Sequence, residues 1–90
     1  MSPAERKEMI EELAEENPDA LTADGFDDAF IGICRRFSLP VLAAYSYEKC
    51  IEIIMKGGAD YEEAVEHFEF NVIGSWVGEG TPVFIKMEGS

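Results

Sequence analysis

Two groups of carboxylates have a spacing that could do chemistry. Asp24, Asp27 and Asp28 surround Gly25 in a short turn, and Glu62, Glu66 and Glu69 recur at i, i+4 and i+7 farther along the chain. Oxygen ligands gathered on a glycine-containing turn suit a hard cation such as Ca²⁺ or Mg²⁺, with Glu69 and Glu79 as the further donors such a site would draw on. The spacing departs from an EF-hand loop, however, and Asp-rich turns commonly do no more than cap helices and strands. A carboxylate row along one helix face has another use, since it presents a field of one sign to a basic surface.

The remaining reactive side chains point to little. His67 is the one histidine, and a general base needs a nucleophile or an orienting partner that the sequence does not place beside it. One His and two dispersed Cys make no zinc set. Cys34 and Cys50 sit inside apolar segments, where a free thiol behaves as a small hydrophobe, so reduced and buried cysteines are expected. The stretch Gly78-Glu79-Gly80-Thr81-Pro82 is glycine-rich, but it lacks a phosphate-loop lysine and carries a glutamate that would repel phosphate. It reads as a turn, and no cofactor is implied. Trp76, beside that turn, is read either as a core residue or as an exposed anchor for a partner.

Nineteen Asp and Glu against seven Lys and Arg give a formal net charge of −12 over 90 residues, of which 47% are hydrophobic. Such a surface repels nucleic acid and anionic membrane and attracts basic protein. Disorder requires low hydrophobicity together with high charge, and this chain has only the charge. Its length suits one domain with a small core and a stability of about 5–10 kcal/mol. The N-terminus has no apolar stretch of signal-peptide type, and no apolar run approaches the ~20 residues of a membrane span. A cytoplasmic protein is the expectation.

The elements that must position these residues follow from caps and periodicity. Ser2-Pro3-Ala4-Glu5 has the form of a capping box with Pro at the first helical position. It opens a helix whose apolar stripe is Met9, Ile10, Leu13 and Ala14 and which stops at Asn17-Pro18. Ala29 to Phe37 and Val41 to Tyr45 are rich in β-formers and read as a hairpin around Ser38-Leu39-Pro40. Ser46 caps a second helix, with Tyr47, Cys50, Ile51, Ile54 and Met55 toward the core, ended by Gly57-Gly58. Asp60 caps a third, whose buried face is Tyr61, Ala64, Val65, Phe68 and Val72. Val83 to Met87 is a last strand. The order α-β-β-α-α-β predicts an α+β domain over 1–90, with an acidic N-terminal helix at 1–18 and a core at 22–87. The expected sheet is three-stranded and antiparallel, with helices on one face.

Four stretches in order, Asp24-Gly25-Phe26-Asp27-Asp28-Ala29, Tyr47 to Ile53, Glu62 to Gly74 and Val77 to Phe84, resemble a family of small, uncharacterised proteins common in bacteriophage and bacterial genomes. The likeness spans roughly residues 22 to 86 and leaves the first helix outside it. Gly57-Gly58-Ala59-Asp60 replaces the Asp-Gly type of turn found in that family. The resemblance implies a phage-linked setting and supplies no mechanism.

The acidic faces decide the functional expectation. Glu5, Glu8, Glu12 and Glu15 line helix one as Glu62, Glu66 and Glu69 line helix three. The plain reading is a solvated face. Solvated faces usually mix signs, though, and like-charge neighbours on a helix each cost about 0.2–0.5 kcal/mol. A basic partner relieves that repulsion. The expectation is therefore a non-enzymatic accessory protein of phage type that binds a basic surface of a host protein, without contacting nucleic acid or membrane itself. Asp24, Asp27, Asp28, Glu62, Glu66 and Glu69 are its expected contacts and Trp76 its anchor. Two alternatives stay open: a metal-dependent enzyme built on Asp24–Asp28, and a module that self-associates through the sheet.

Overall fold

The computed structural model describes residues 1–75 and 78–87. Trp76, the expected anchor, lies outside them. Helix α1 (Pro3–Glu16) begins as its capping box dictates. Glu5 N donates to Ser2 Oγ and Ser2 N to a Glu5 carboxylate oxygen, both at 3.1 Å. It ends at Asn17, which is buried for a reason the sequence does not show. Asn17 Nδ2 donates to the Val41 carbonyl at 2.9 Å, and its Oδ1 accepts from Asp19 N at 3.1 Å. One amide thus stops the helix and ties it to the sheet. Of the apolar stripe, Leu13 is buried, Met9 and Ile10 are half-buried against the core, and Ala14 is exposed.

After a 3₁₀ turn at Asp27–Ala29, β1 (Phe30–Arg36) and β2 (Leu39–Ser46) form the expected hairpin. They pair antiparallel, with Ile33 opposite Ala43, and the register shifts between Phe30 and Gly32 and again between Cys34 and Arg36. The hairpin turns more tightly than the sequence reading has it. Ser38 adopts a positive φ of 59°, so β2 starts at Leu39 and not at Val41. Ser46 both finishes β2 and caps helix α2 (Tyr47–Lys56), its hydroxyl accepting from Lys49 N at 3.3 Å. Asp60 caps helix α3 (Tyr61–His67) through Glu63 N at 2.8 Å. The backbone then continues as a π-helical turn at Phe68–Val72 and a 3₁₀ turn at Ile73–Ser75.

The sheet corrects the expected topology. Strand β3 (Val83–Ile85) joins β2 in parallel, with Ala44, Tyr45 and Ser46 opposite Val83, Phe84 and Ile85, so the order is β1-β2-β3 and the sheet is mixed. An antiparallel neighbour needs only a short turn, whereas a parallel one needs a crossover of a dozen residues or more. Helices α2 and α3 are that crossover. They carry the chain back so that β3 enters opposite Ala44 and runs in the same direction as β2.

The core is aromatic at its centre. Phe68, 0% exposed, meets Phe26, Tyr47 and Phe84 with ring centroids 5.6, 5.4 and 5.1 Å away, all edge-on. Tyr45, also buried, meets Phe30 edge-on at 5.6 Å, and its hydroxyl accepts from Ala23 N at 2.9 Å. Two positions assigned to the core are solvent-facing: Tyr61 is 61% exposed and Met55 is 38% exposed. Both cysteines are free, Cys50 buried and Cys34 half-buried, and burial pushes the Cys50 thiol up to about 12. Among the described residues no helix is long and apolar enough to cross a membrane.

The loop before β3 lies directly on the segment after α1. Leu21 N donates to the Gly80 carbonyl at 3.0 Å, and a Cβ on Gly80 would collide with the Asp19 carbonyl oxygen. Because the obstacle is backbone, Gly80→Ala should destabilise the domain by about 3 kcal/mol, the upper end of overpacking costs. That corresponds to a fall in Tm of about 10 °C or more in a thermal melt.

Candidate partner-binding groove

Parallel pairing of β3 carries the chain past Ile85 to the beginning of α2 and the side of α3. A groove of about 620 Å³ opens there. Its α3 wall is Glu62, Val65 and Glu66, at i, i+3 and i+4, continued by Glu69 and Phe70 in the π-helical turn. Tyr47 and Glu48 from the first turn of α2 line it, with Lys86 and Met87 beyond β3 and Tyr61 at the start of α3. A run of π geometry shifts the face a helix presents, and such turns recur at functional sites.

Polar contacts engage only part of the groove lining. Tyr47 donates its phenol hydrogen to Glu69 Oε2 at 2.6 Å, and the Lys86 ammonium lies 4.6 Å from the centre of the Tyr47 ring. Burial, and then the Glu69 hydrogen bond and charge, push the Tyr47 phenol up to about 12. Tyr47 is therefore a neutral donor, not a nucleophile. Glu48 accepts from Met87 N at 2.7 Å, which fastens the segment after β3 to α2. Glu62 and Glu66 are exposed and have no ion-pair partner among the described residues. The aromatic rings beside them are exposed as well, Phe70 by 76%.

The expected contacts thus separate. The structure brings Glu62, Glu66 and Glu69 into one wall and leaves Asp24, Asp27 and Asp28 outside the groove. Asp28 pairs with Arg6 at 3.4 Å and shares a second concavity with Arg6 and Lys49, so its surroundings are mixed in sign. Asp24 and Asp27 lie toward the buried Tyr45, whose phenol is raised chiefly by burial and further by these two charges. Among the described residues no three His, Cys, Asp or Glu side chains gather into a set that could hold a metal ion. His67 is exposed, with Nδ1 3.3 Å from the Asn71 side-chain nitrogen.

Part of the α1 acidic face is engaged within the fold. Glu16 and Glu12 hold the Arg35 guanidinium, at 2.8 Å and 3.2 Å to Nη2, and the Arg35 hydrogen bond lowers the Glu16 carboxyl. Glu5 is lowered by its capping bonds to Ser2. The sequence reading missed Glu48, Phe70, Lys86 and Met87 as groove residues. The start of α2, the π turn and the end of β3 come together only in the tertiary structure. Only the i+4 relation of Phe70 to Glu66 could have been read in advance. Compared with family models, curated proteins and solved structures, the chain matches none.

The Tyr47 phenol gives a pH dependence whose sign is fixed. Its pKa is raised from an ordinary value of 10 to about 12, so the folded state holds the proton more tightly than the unfolded chain. That stabilisation is complete below pH 10 and is lost as pH rises from 10 to about 12. Urea denaturation across this window should show a falling midpoint, and Tyr47→Phe should make the fall shallower, the buried Cys50 thiol supplying part of what remains.

Proposed function

We propose that this chain is a non-enzymatic binding module, a phage-type accessory protein in the sense its sequence resemblance implies, that docks on a basic surface of a host protein. The observation that carries this reading is the α3 wall. Among the described residues Glu62 and Glu66 have no ion-pair partner, and they share the groove lining with exposed Tyr61 and Phe70. A carboxylate row without internal partners costs the free protein repulsion and gives a bound one complementarity. Its field would steer encounter with a basic partner and weaken over a shorter range as salt rises.

A second reading has its own support. Strand β1 is the other edge of the sheet, and Phe37 at the hairpin tip is fully exposed beside the exposed Leu39. Edges of this kind pair with copies of themselves. The two register shifts in β1 work against it, because irregularities twist an edge away from a neighbour and leave Gly32 to Cys34 as the regular stretch. Sedimentation over a range of concentrations separates a self-associating module from a monomeric binder.

Charge reversal is the direct test. Glu62→Lys combined with Glu66→Lys should abolish salt-sensitive capture of a basic protein from nuclease-treated bacterial lysate. Circular dichroism and Tm should be unchanged, since both side chains are exposed. Undiminished capture by the reversed protein would overturn the reading.

A further inference from the structure

We infer that the groove takes a peptide segment of the partner in which a lysine or arginine stands next to an apolar side chain, with the basic head between Glu62 and Glu66 and the apolar group against Tyr61 and Phe70. This rests on the proposal that the domain binds basic protein, and it goes on to name what enters the groove. Size is the first argument. A volume of about 620 Å³ lies within the roughly 300–1,000 Å³ of clefts that enclose small ligands. It admits a few protruding side chains and not a folded surface.

Charge is the second. Four carboxylates, Glu48, Glu62, Glu66 and Glu69, face the groove against the single ammonium of Lys86. That ammonium is already placed, over the Tyr47 ring at 4.6 Å. The Tyr47 phenol is in turn bonded to Glu69. The chain's own lysine therefore shows how this floor receives a cation, by an aromatic face backed by a carboxylate. It also occupies the Tyr47 ring. What remains of the lining is Glu62 and Glu66 with the exposed rings of Tyr61 and Phe70.

The apolar half of the occupant follows from exposure. Tyr61 and Phe70 are 61% and 76% exposed, which is costly for large rings facing a groove unless something apolar covers them. A purely polar cation would leave both rings wet. A basic residue beside a leucine-like one covers them while its head reaches the carboxylates.

Fluorescence anisotropy with the full chain tests this. The probes are a labelled peptide alternating Lys and Leu, one of equal length alternating Lys and Ser, and free spermine as competitor. The Lys–Leu peptide should bind about tenfold or more tightly than the Lys–Ser peptide. Glu62→Gln with Glu66→Gln, and separately Tyr61→Ser with Phe70→Ser, should each weaken it about tenfold or more. All four side chains are exposed, and unchanged circular dichroism would verify that each pair leaves the fold intact. Equal binding of both peptides, indifferent to Tyr61→Ser with Phe70→Ser, would overturn the groove inference and leave the basic-surface proposal standing. Binding of both peptides indifferent to Glu62→Gln with Glu66→Gln would overturn both. Spermine competing as strongly as the Lys–Leu peptide would overturn the peptide in favour of a free polyamine.

Discussion

The edge-on packing around Phe68 is the interaction on which the other elements depend. Its ring meets Phe26 from the loop after α1, Tyr47 from α2 and Phe84 from β3, while Phe68 itself opens the π-helical turn that follows α3. Four segments distant in sequence share this one contact point. Removing a buried phenylalanine of this kind costs about 3–5 kcal/mol, a large fraction of the 5–15 kcal/mol typical of a folded domain. Tyr47 shows how the same contact serves the surface. One edge of its ring packs on Phe68, its face receives Lys86, and its hydroxyl reaches Glu69. The groove is the solvent side of the aromatic core.

Its negative charge is not spent uniformly. Glu5 closes the α1 capping box, Glu12 and Glu16 clamp Arg35 to α1, Asp60 caps α3, and Asp28 meets Arg6. These carboxylates have structural work close at hand. Among the described residues Glu62 and Glu66 have no ion-pair partner, and they line the groove with exposed aromatic rings. A net charge of −12 describes all of these groups alike, so the contrast between engaged and unengaged acids emerges only from their partners.

How much of this was legible in the sequence depended on how local each cause is. Ser2 with Glu5, Ser46, and Asp60 announce helix starts through bonds three residues long, and all three starts are found where the caps put them. The hairpin was readable from its β-formers, but not the positive φ at Ser38 that shortens its turn. The parallel seat of β3 was not readable at all. A three-residue strand pairs with β2 in either direction on pattern alone, and the two-helix crossover decides between them. Tyr61 was misplaced because helical spacing puts it one turn from Ala64 and Val65, whereas the helix has only begun at that residue and its side chain stays outside the core. The Glu62 and Glu66 pair was legible because a helix keeps its own faces, whereas Glu69 belongs to the π turn beyond α3. Asp24, Asp27 and Asp28 looked equivalent to that pair, yet they belong to a turn that points them elsewhere.

The parallel pairing of β2 with β3 also orders events in time. Tyr47 and Glu48 are made well before Lys86 and Met87, and the groove has no second wall until the last strand has docked beside Ala44, Tyr45 and Ser46. The hairpin and the helices close through nearby contacts, whereas this strand must cross the entropy of a long loop before any bond rewards it. During synthesis, then, the α3 carboxylates emerge on a helix that has no floor beside it. The groove therefore closes only after β3 has docked, later than the helix that carries Glu62 and Glu66 has formed.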